Sequence, residues 1–130
     1  MAEQEGQRVV MGFGEEVVRA TLTETAAGRE FATQLPLTLE MRDPMGQTKS
    51  GRLPAPIGST GTRTTPDPDA GGIYYVPDSQ ILAVFYDDLG QTVPAPGLIH
   101  LGAVDGDLSP VATAGNRVRV RVDLADSASS

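Results

Sequence analysis

The chain of 130 residues sets ten Lys and Arg against seventeen Asp and Glu, a formal net charge of −7, with no cysteine and one histidine. That balance disfavours nucleic acid and anionic membranes as partners. The cysteine and histidine counts exclude a disulfide framework, a thiolate metal site and a multi-histidine centre, so no metal is expected. With no Gly-x-Gly-x-x-Gly after a strand and no Gly-x-x-x-x-Gly-Lys, no cofactor is expected either.

No apolar stretch approaches the ~20 residues that cross a bilayer. The acidic, polar start does not read as a secretory signal, so the expected location is cytoplasmic. Nine of the ten basic residues are Arg, which reads as codon usage rather than chemistry. The length suits one domain. Ten Pro, fifteen Gly and short apolar runs favour strands and turns over a helical bundle.

Residues 1–7 read as a disordered tail, polar and without periodicity. Arg8 to Phe13 and Glu16 to Leu22 form a hairpin through Gly12-Phe13-Gly14, with Val18, Ala20 and Leu22 on one face and Val17, Arg19 and Thr21 on the other. A helix follows over about Ala26 to Gln34, capped by Thr23 or Thr25. Ala27, Phe31 and Leu35 make its apolar stripe, and Phe31 plugs one end of the core. Gly28 weakens this helix by about 1 kcal/mol relative to Ala. Pro36 ends it.

Leu37 to Met41 alternates as a third strand, and Asp43-Pro44-Met45-Gly46 is a turn. Gly51 to Ala70 is too proline-rich for a central strand and reads as a long functional or mobile loop, with short extended pieces near Gly51 to Leu53. Ile73 to Val76 and Gln80 to Tyr86 are paired strands joined at Pro77-Asp78-Ser79. The run Ile81 to Tyr86 is continuously apolar, as in a strand buried on both faces. Four of the six Phe and Tyr residues fall in these strands.

Asp87 to Pro96 is a further loop. Leu98 to Val104 is a strand carrying His100, and Leu108 to Ala112 makes one short helical turn. Arg117 to Asp123 is the cleanest strand, with Val118, Val120 and Val122 facing in and Arg117, Arg119 and Arg121 facing out. Residues 124–130 read as a frayed tail, leaving a domain over 8–123. Seven or eight strands and one principal helix fit a closed or nearly closed β-barrel, which removes exposed edges.

The order of these motifs resembles the small bacterial cyclophilin-like proteins. It is carried by Thr25 to Pro36 followed by Leu37-Thr38-Leu39, by Gly71-Gly72-Ile73-Tyr74-Tyr75-Val76-Pro77, by Leu82-Ala83-Val84-Phe85-Tyr86, and by Gly97-Leu98-Ile99-His100-Leu101-Gly102. It spans about Val9 to Val122. It implies a cyclophilin-like barrel of about eight strands and no particular activity. The catalytic segment of true cyclophilins, Phe-His-Arg-x-x-x-x-Phe-x-x-Gln-Gly-Gly-Asp, is missing. Phe31-Ala32-Thr33-Gln34 has part of its spacing, but it lies in the helix without the Gly-Gly-Asp.

The expected function is a small-molecule or peptide binding module, monomeric or homodimeric, with a groove between the Gly51–Ala70 loop and the central strands. Tyr74, Tyr75, Phe85, Tyr86 and Met41 are the candidate ligand-binding residues. The alternative is an enzyme, a divergent prolyl isomerase or a small-molecule isomerase or cyclase, with His100, Arg42, Tyr75 and Tyr86 as candidate catalytic groups. Set against these readings, His100 is an ordinary strand histidine and the aromatics are core. The arginine stripe is a solvated face paired with carboxylates such as Glu15, Glu16 and Glu24. Asp105-Gly106-Asp107 is a turn rather than a calcium loop, since the twelve-residue spacing is missing.

Overall fold

A computed structural model describes residues 7–23, 26–43, 48–57, 64–65, 70–76, 79–86, 98–106 and 108–124. In chain order the elements are β1 (Arg8–Phe13), β2 (Glu16–Leu22), α1 (Ala26–Ala32), β3 (Leu37–Arg42), β4 (Thr48–Arg52), β5 (Thr64–Thr65), β6 (Gly72–Val76), β7 (Ile81–Phe85), β8 (Leu98–Asp105), α2 (Ser109–Ala112) and β9 (Arg117–Leu124). The strands are ordered β2-β1-β9-β3-β4-β7-β6-β8-β5, and a further pairing of β2 with β8 closes an antiparallel barrel of eight strands. The two-residue β5 adds to the β8 edge beside β2. No helix among the described residues is long and apolar enough to cross a membrane.

Period-two alternation builds the interior. Met11, Val18, Ala20, Leu39, Met41, Val118, Val120 and Val122 all point in, while Arg117, Arg119 and Arg121 are exposed. β7 is buried on both faces, as its continuous apolar run requires: Leu82 and Val84 join the interior, and Ala83 and Phe85 join a second cluster with Tyr74 and Leu98.

The helices cover opposite ends of the barrel. β2 leads into α1 and α1 into β3, so α1 sits where β3 begins. β8 leads into α2 and α2 into β9, so α2 sits where β3 ends. Phe31 closes the first end and Val111 of α2 enters the core from the second, both with exposures of 1% or less. The helix α1 stops two residues short of Gln34 because its last turn tightens, with Gln34 N–H bonding Phe31 O and Leu35 N–H bonding Ala32 O. Of the two cap residues, Thr25 lies outside the described residues.

Several expectations need correction. The extended piece expected near Gly51 to Leu53 is the end of a longer strand, β4, which begins at Thr48, and within the expected loop Thr64–Thr65 form β5. β4 hides its period because its inward positions are Lys49 and Gly51 rather than apolar residues. A Cβ on Gly51 would lie 2.9 Å from Glu40 O, so the close approach of β4 to β3 requires glycine there.

The arginine stripe does not face Glu15 or Glu16, because β9 lies between β1 and β3 rather than beside β2; Glu24 lies outside the described residues. Arg119 stands opposite Glu40, Arg121 opposite Thr38 and Gly12, and Arg117 opposite Arg42. Pairing also runs past the expected domain limits: Leu124 pairs with Val9, and Gln7 O accepts from Leu22 N–H at 2.8 Å. Residues 1–6 and 125–130 of the two tails, residues 44–47 of the Asp43–Gly46 turn, Pro77-Asp78, the Asp87–Pro96 loop and Asp107 lie outside the described residues.

Candidate functional site

The strand period splits the aromatic candidates. On β6, Tyr75 points into the barrel and Tyr74 out; on and after β7, Phe85 points out. Tyr75 is 2% exposed, and its hydroxyl oxygen accepts from Ile57 N–H at 3.2 Å. Met41 is likewise fully buried in the interior. Tyr74 packs edge-on against Phe85 at 5.5 Å between ring centroids. His100, exposed on the outer face of β8, lies tilted over the other side of Tyr74 at 5.1 Å. His100 therefore stands apart from Tyr75, which faces the other way.

The groove expected beside the Gly51–Ala70 segment is filled in its described part. Leu53 and Ile57 are buried in the core, and Gln34 Nε2–H bonds Ala55 O at 3.1 Å. The apolar residues that punctuate this proline-rich stretch are spent sealing the α1 end.

An open pocket of about 610 Å³ lies at the opposite, α2 end. It is lined by Arg42 and Asp43 from the end of β3, Lys49 from the start of β4, Tyr86 after β7, and Ala112, Gly115, Asn116 and Arg117 between α2 and β9. It brings together two of the sequence candidates, Arg42 and Tyr86.

The pocket floor is a buried polar cluster. Lys49 Nζ donates to Asp43 Oδ2 at 2.6 Å, with the side chains 1% and 4% exposed. The Tyr86 hydroxyl donates to the same carboxylate oxygen. Lys49 Nζ also lies 4.7 Å from the centre of the Tyr86 ring, a cation–π contact. Asp43 is held in place by its own backbone, whose N–H donates to Asn116 O at 2.9 Å and so ties the end of β3 to the chain entering β9. Burying an ammonium and a carboxylate costs several kcal/mol per ion, of the order that their mutual attraction returns. A barrel interior gains little stability from such a pair relative to two apolar side chains.

Asp43 and Lys49 escaped the sequence reading. A signal was present: Lys49 is the one lysine among ten basic residues, and it stands at a strand position whose neighbours on both sides, Thr48 and Ser50, are the outward-facing ones.

A sequence model described as the cyclophilin-like family matches residues 11–123. The chain belongs to the cyclophilin-like family. No curated protein matches the sequence. Among solved structures, this cyclophilin-like chain is similar to the hypothetical protein AF2241 from Archaeoglobus fulgidus, with TM-score 0.72 and 15% identity over 96% of this chain and 100% of that one. It is also similar to McbB, solved in complex with tryptophan, with TM-score 0.69 and 17% identity over 92% of this chain and 45% of McbB. At these identities the likeness is one of fold, and the chain spans less than half of McbB.

Proposed function

We infer that this cyclophilin-like protein is a binding module for a small molecule, taken up in the pocket at the α2 end of the barrel. One observation carries the reading: the pocket floor is a buried Lys49–Asp43–Tyr86 cluster, polar groups placed where a core would otherwise be apolar. The volume of about 610 Å³ lies within the ~300–1,000 Å³ typical of small-molecule sites. The walls combine a few convergent polar groups with the small residues Ala112 and Gly115. McbB, which shares the fold over 45% of its length, was solved in complex with tryptophan, a small molecule; that does not name the ligand here.

The test is thermal unfolding against a panel of small metabolites. A ligand of the pocket raises Tm saturably in the wild type. It does so no longer in Ala112→Trp, where an indole on exposed α2 fills the mouth. A panel without such a compound, or ligands indifferent to Ala112→Trp, counts against the pocket.

A second reading, an enzyme, draws on the same cluster. Tyr86 and Lys49 both donate to Asp43 Oδ2, an arrangement able to move a proton to or from a bound substrate. It would serve a small-molecule isomerase or cyclase, or a divergent prolyl isomerase. Exchange spectroscopy on an Ala-Pro peptide separates the last of these, since uncatalysed exchange takes tens of seconds or more. Accelerated exchange, lost in Tyr86→Phe, would favour the enzyme.

A further inference from the structure

The rungs of β3 and β9 alternate in a way that packing does not demand. Glu40 faces Arg119, a pair of opposite charges, but the next outward rung, Arg42 facing Arg117, sets two like charges side by side. Residues directly opposed in an antiparallel pair hold their Cβ atoms about 4.5–5.5 Å apart, and like charges there are destabilising. Both arginines are exposed, so no core requirement fixes either one. This is the rung that borders the pocket, and both side chains line it.

The charge around the pocket is inverted relative to the chain. Asp and Glu outnumber Lys and Arg by seventeen to ten overall, whereas among the described residues the lining holds Arg42, Lys49 and Arg117 against one carboxylate, Asp43. Asp43 is matched by Lys49 at 2.6 Å. Among the described residues the ion pairs are Lys49–Asp43 and Arg121–Asp123, and neither Arg42 nor Arg117 takes part in one. Among the described residues, the mouth of the pocket thus presents two guanidiniums that no carboxylate pairs.

Guanidinium forks match carboxylate and phosphate oxygens in pairs. A low-dielectric cleft lined by one sign of charge also raises the local concentration of ligands of the other sign. We propose that the pocket takes a small organic anion whose single carboxylate or phosphate head sits between Arg42 and Arg117, with the body of the molecule directed toward Tyr86, Lys49 and Asp43. The anion supplies the charge that the Arg42–Arg117 rung lacks. The proposal rests on the pocket reading above and narrows it to a ligand class.

The test uses three probes of similar shape on the ¹⁵N-labelled full chain at low salt: benzoate, phenyl phosphate and neutral benzamide. The expected result is saturable shifts of the Arg42, Asp43, Lys49, Asn116 and Arg117 amides with at least one of the two anions. Benzamide should bind at least 10-fold more weakly. Arg42→Gln and Arg117→Gln should each weaken the anion at least 10-fold, while Tm stays the same or rises because the like-charge rung is relieved. That second readout guards against loss of binding through unfolding.

Benzamide shifting the same amides as strongly as benzoate would overturn the anion assignment while leaving the pocket as a binding site. Anion shifts spread along Arg117, Arg119 and Arg121 and retained in Arg42→Gln would reduce the effect to surface charge and overturn it too. No shift from either anion at 10 mM would also sink it. The broader reading falls only if the metabolite panel, in addition, yields no ligand that Ala112→Trp blocks.

Discussion

The ammonium of Lys49 lies 2.6 Å from Asp43 Oδ2, both side chains buried, inside a barrel whose other inward positions are almost all apolar. Breaking such a pair from one side leaves an uncompensated charge in the interior. Lys49→Met is therefore expected to lower the unfolding free energy by about 3–5 kcal/mol. Adding Asp43→Asn removes the stranded charge while still accepting from Tyr86, and should return part of that loss. Urea denaturation of the two variants checks it; a loss below about 1 kcal/mol in Lys49→Met would mean that water reaches the pair.

The Arg42–Arg117 rung should register in stability with the opposite sign. Arg117→Thr removes one of two opposed like charges on an exposed, β-favouring position. Stability at low salt is expected to rise by about 0.2–1 kcal/mol. Because exposed charges are screened within ~3 Å at 1 M ionic strength, the gain should vanish in high salt. A gain that survives 1 M salt would point to strand propensity instead.

Gly28 reverses a simple sequence argument. Helix propensity favours Ala at this interior position of α1 by about 1 kcal/mol. In the fold, a Cβ there would stand 2.3 Å from Thr23 O and 2.7 Å from its Oγ1. The chain leaving β2 is pinned against α1 at that point, with Thr23 N–H bonded to Leu101 O at 2.7 Å. Since backbone must move to admit a methyl, Gly28→Ala is expected to destabilise by about 1–3 kcal/mol despite the better propensity. Thermal unfolding decides the sign.

How far the sequence disclosed this molecule depended on what each strand buried. β2, β3 and β9 alternate Val, Ala, Leu and Met against polar residues, so their faces were legible and their limits came within one residue. β7 was legible for the opposite reason, because both its faces are covered. β4 was not, since an inward lysine and an inward glycine erase the period. The pocket was hidden with it, since the sequence draws the eye to the aromatic run of β6 and β7 and to the longest loop. The pocket instead gathers strand ends and one lysine that only the closed barrel brings together. Two of the sequence candidates, Arg42 and Tyr86, line that pocket. Asp43 was assigned to a turn, and its partner Lys49 was overlooked among nine arginines.

Gln80 offers a test at the other end of the barrel. Its φ of 63° is in the left-handed region, at a cost of about 1–2 kcal/mol for a residue with a Cβ. Three hydrogen bonds hold it: Gln80 Nε2–H bonds Leu53 O at 2.7 Å, Leu53 N–H bonds Gln80 O at 2.9 Å, and Gln80 N–H bonds Val76 O at 2.9 Å. Gln80→Ala keeps the strain and loses the side-chain bond, so it should cost about 1 kcal/mol. Gln80→Gly loses the same bond but relieves the strain, and should stay within about 1 kcal/mol of the wild type. An Ala variant as stable as the Gly variant would show that the left-handed turn carries no cost here.

The pocket reading puts the ligand at the α2 end of the barrel, away from the outer aromatic face and the α1 end. Backbone amide shifts of the labelled full chain, recorded as a compound from the metabolite panel that raises Tm is titrated in, read this directly. The expected result is saturable shifts concentrated at Arg42, Asp43, Lys49, Tyr86, Ala112, Gly115, Asn116 and Arg117. Shifts gathered instead at Tyr74, Phe85 and His100, or along Leu53 to Ile57 at the α1 end, would contradict it and move the site to the outer aromatic face or to the loop that first drew attention.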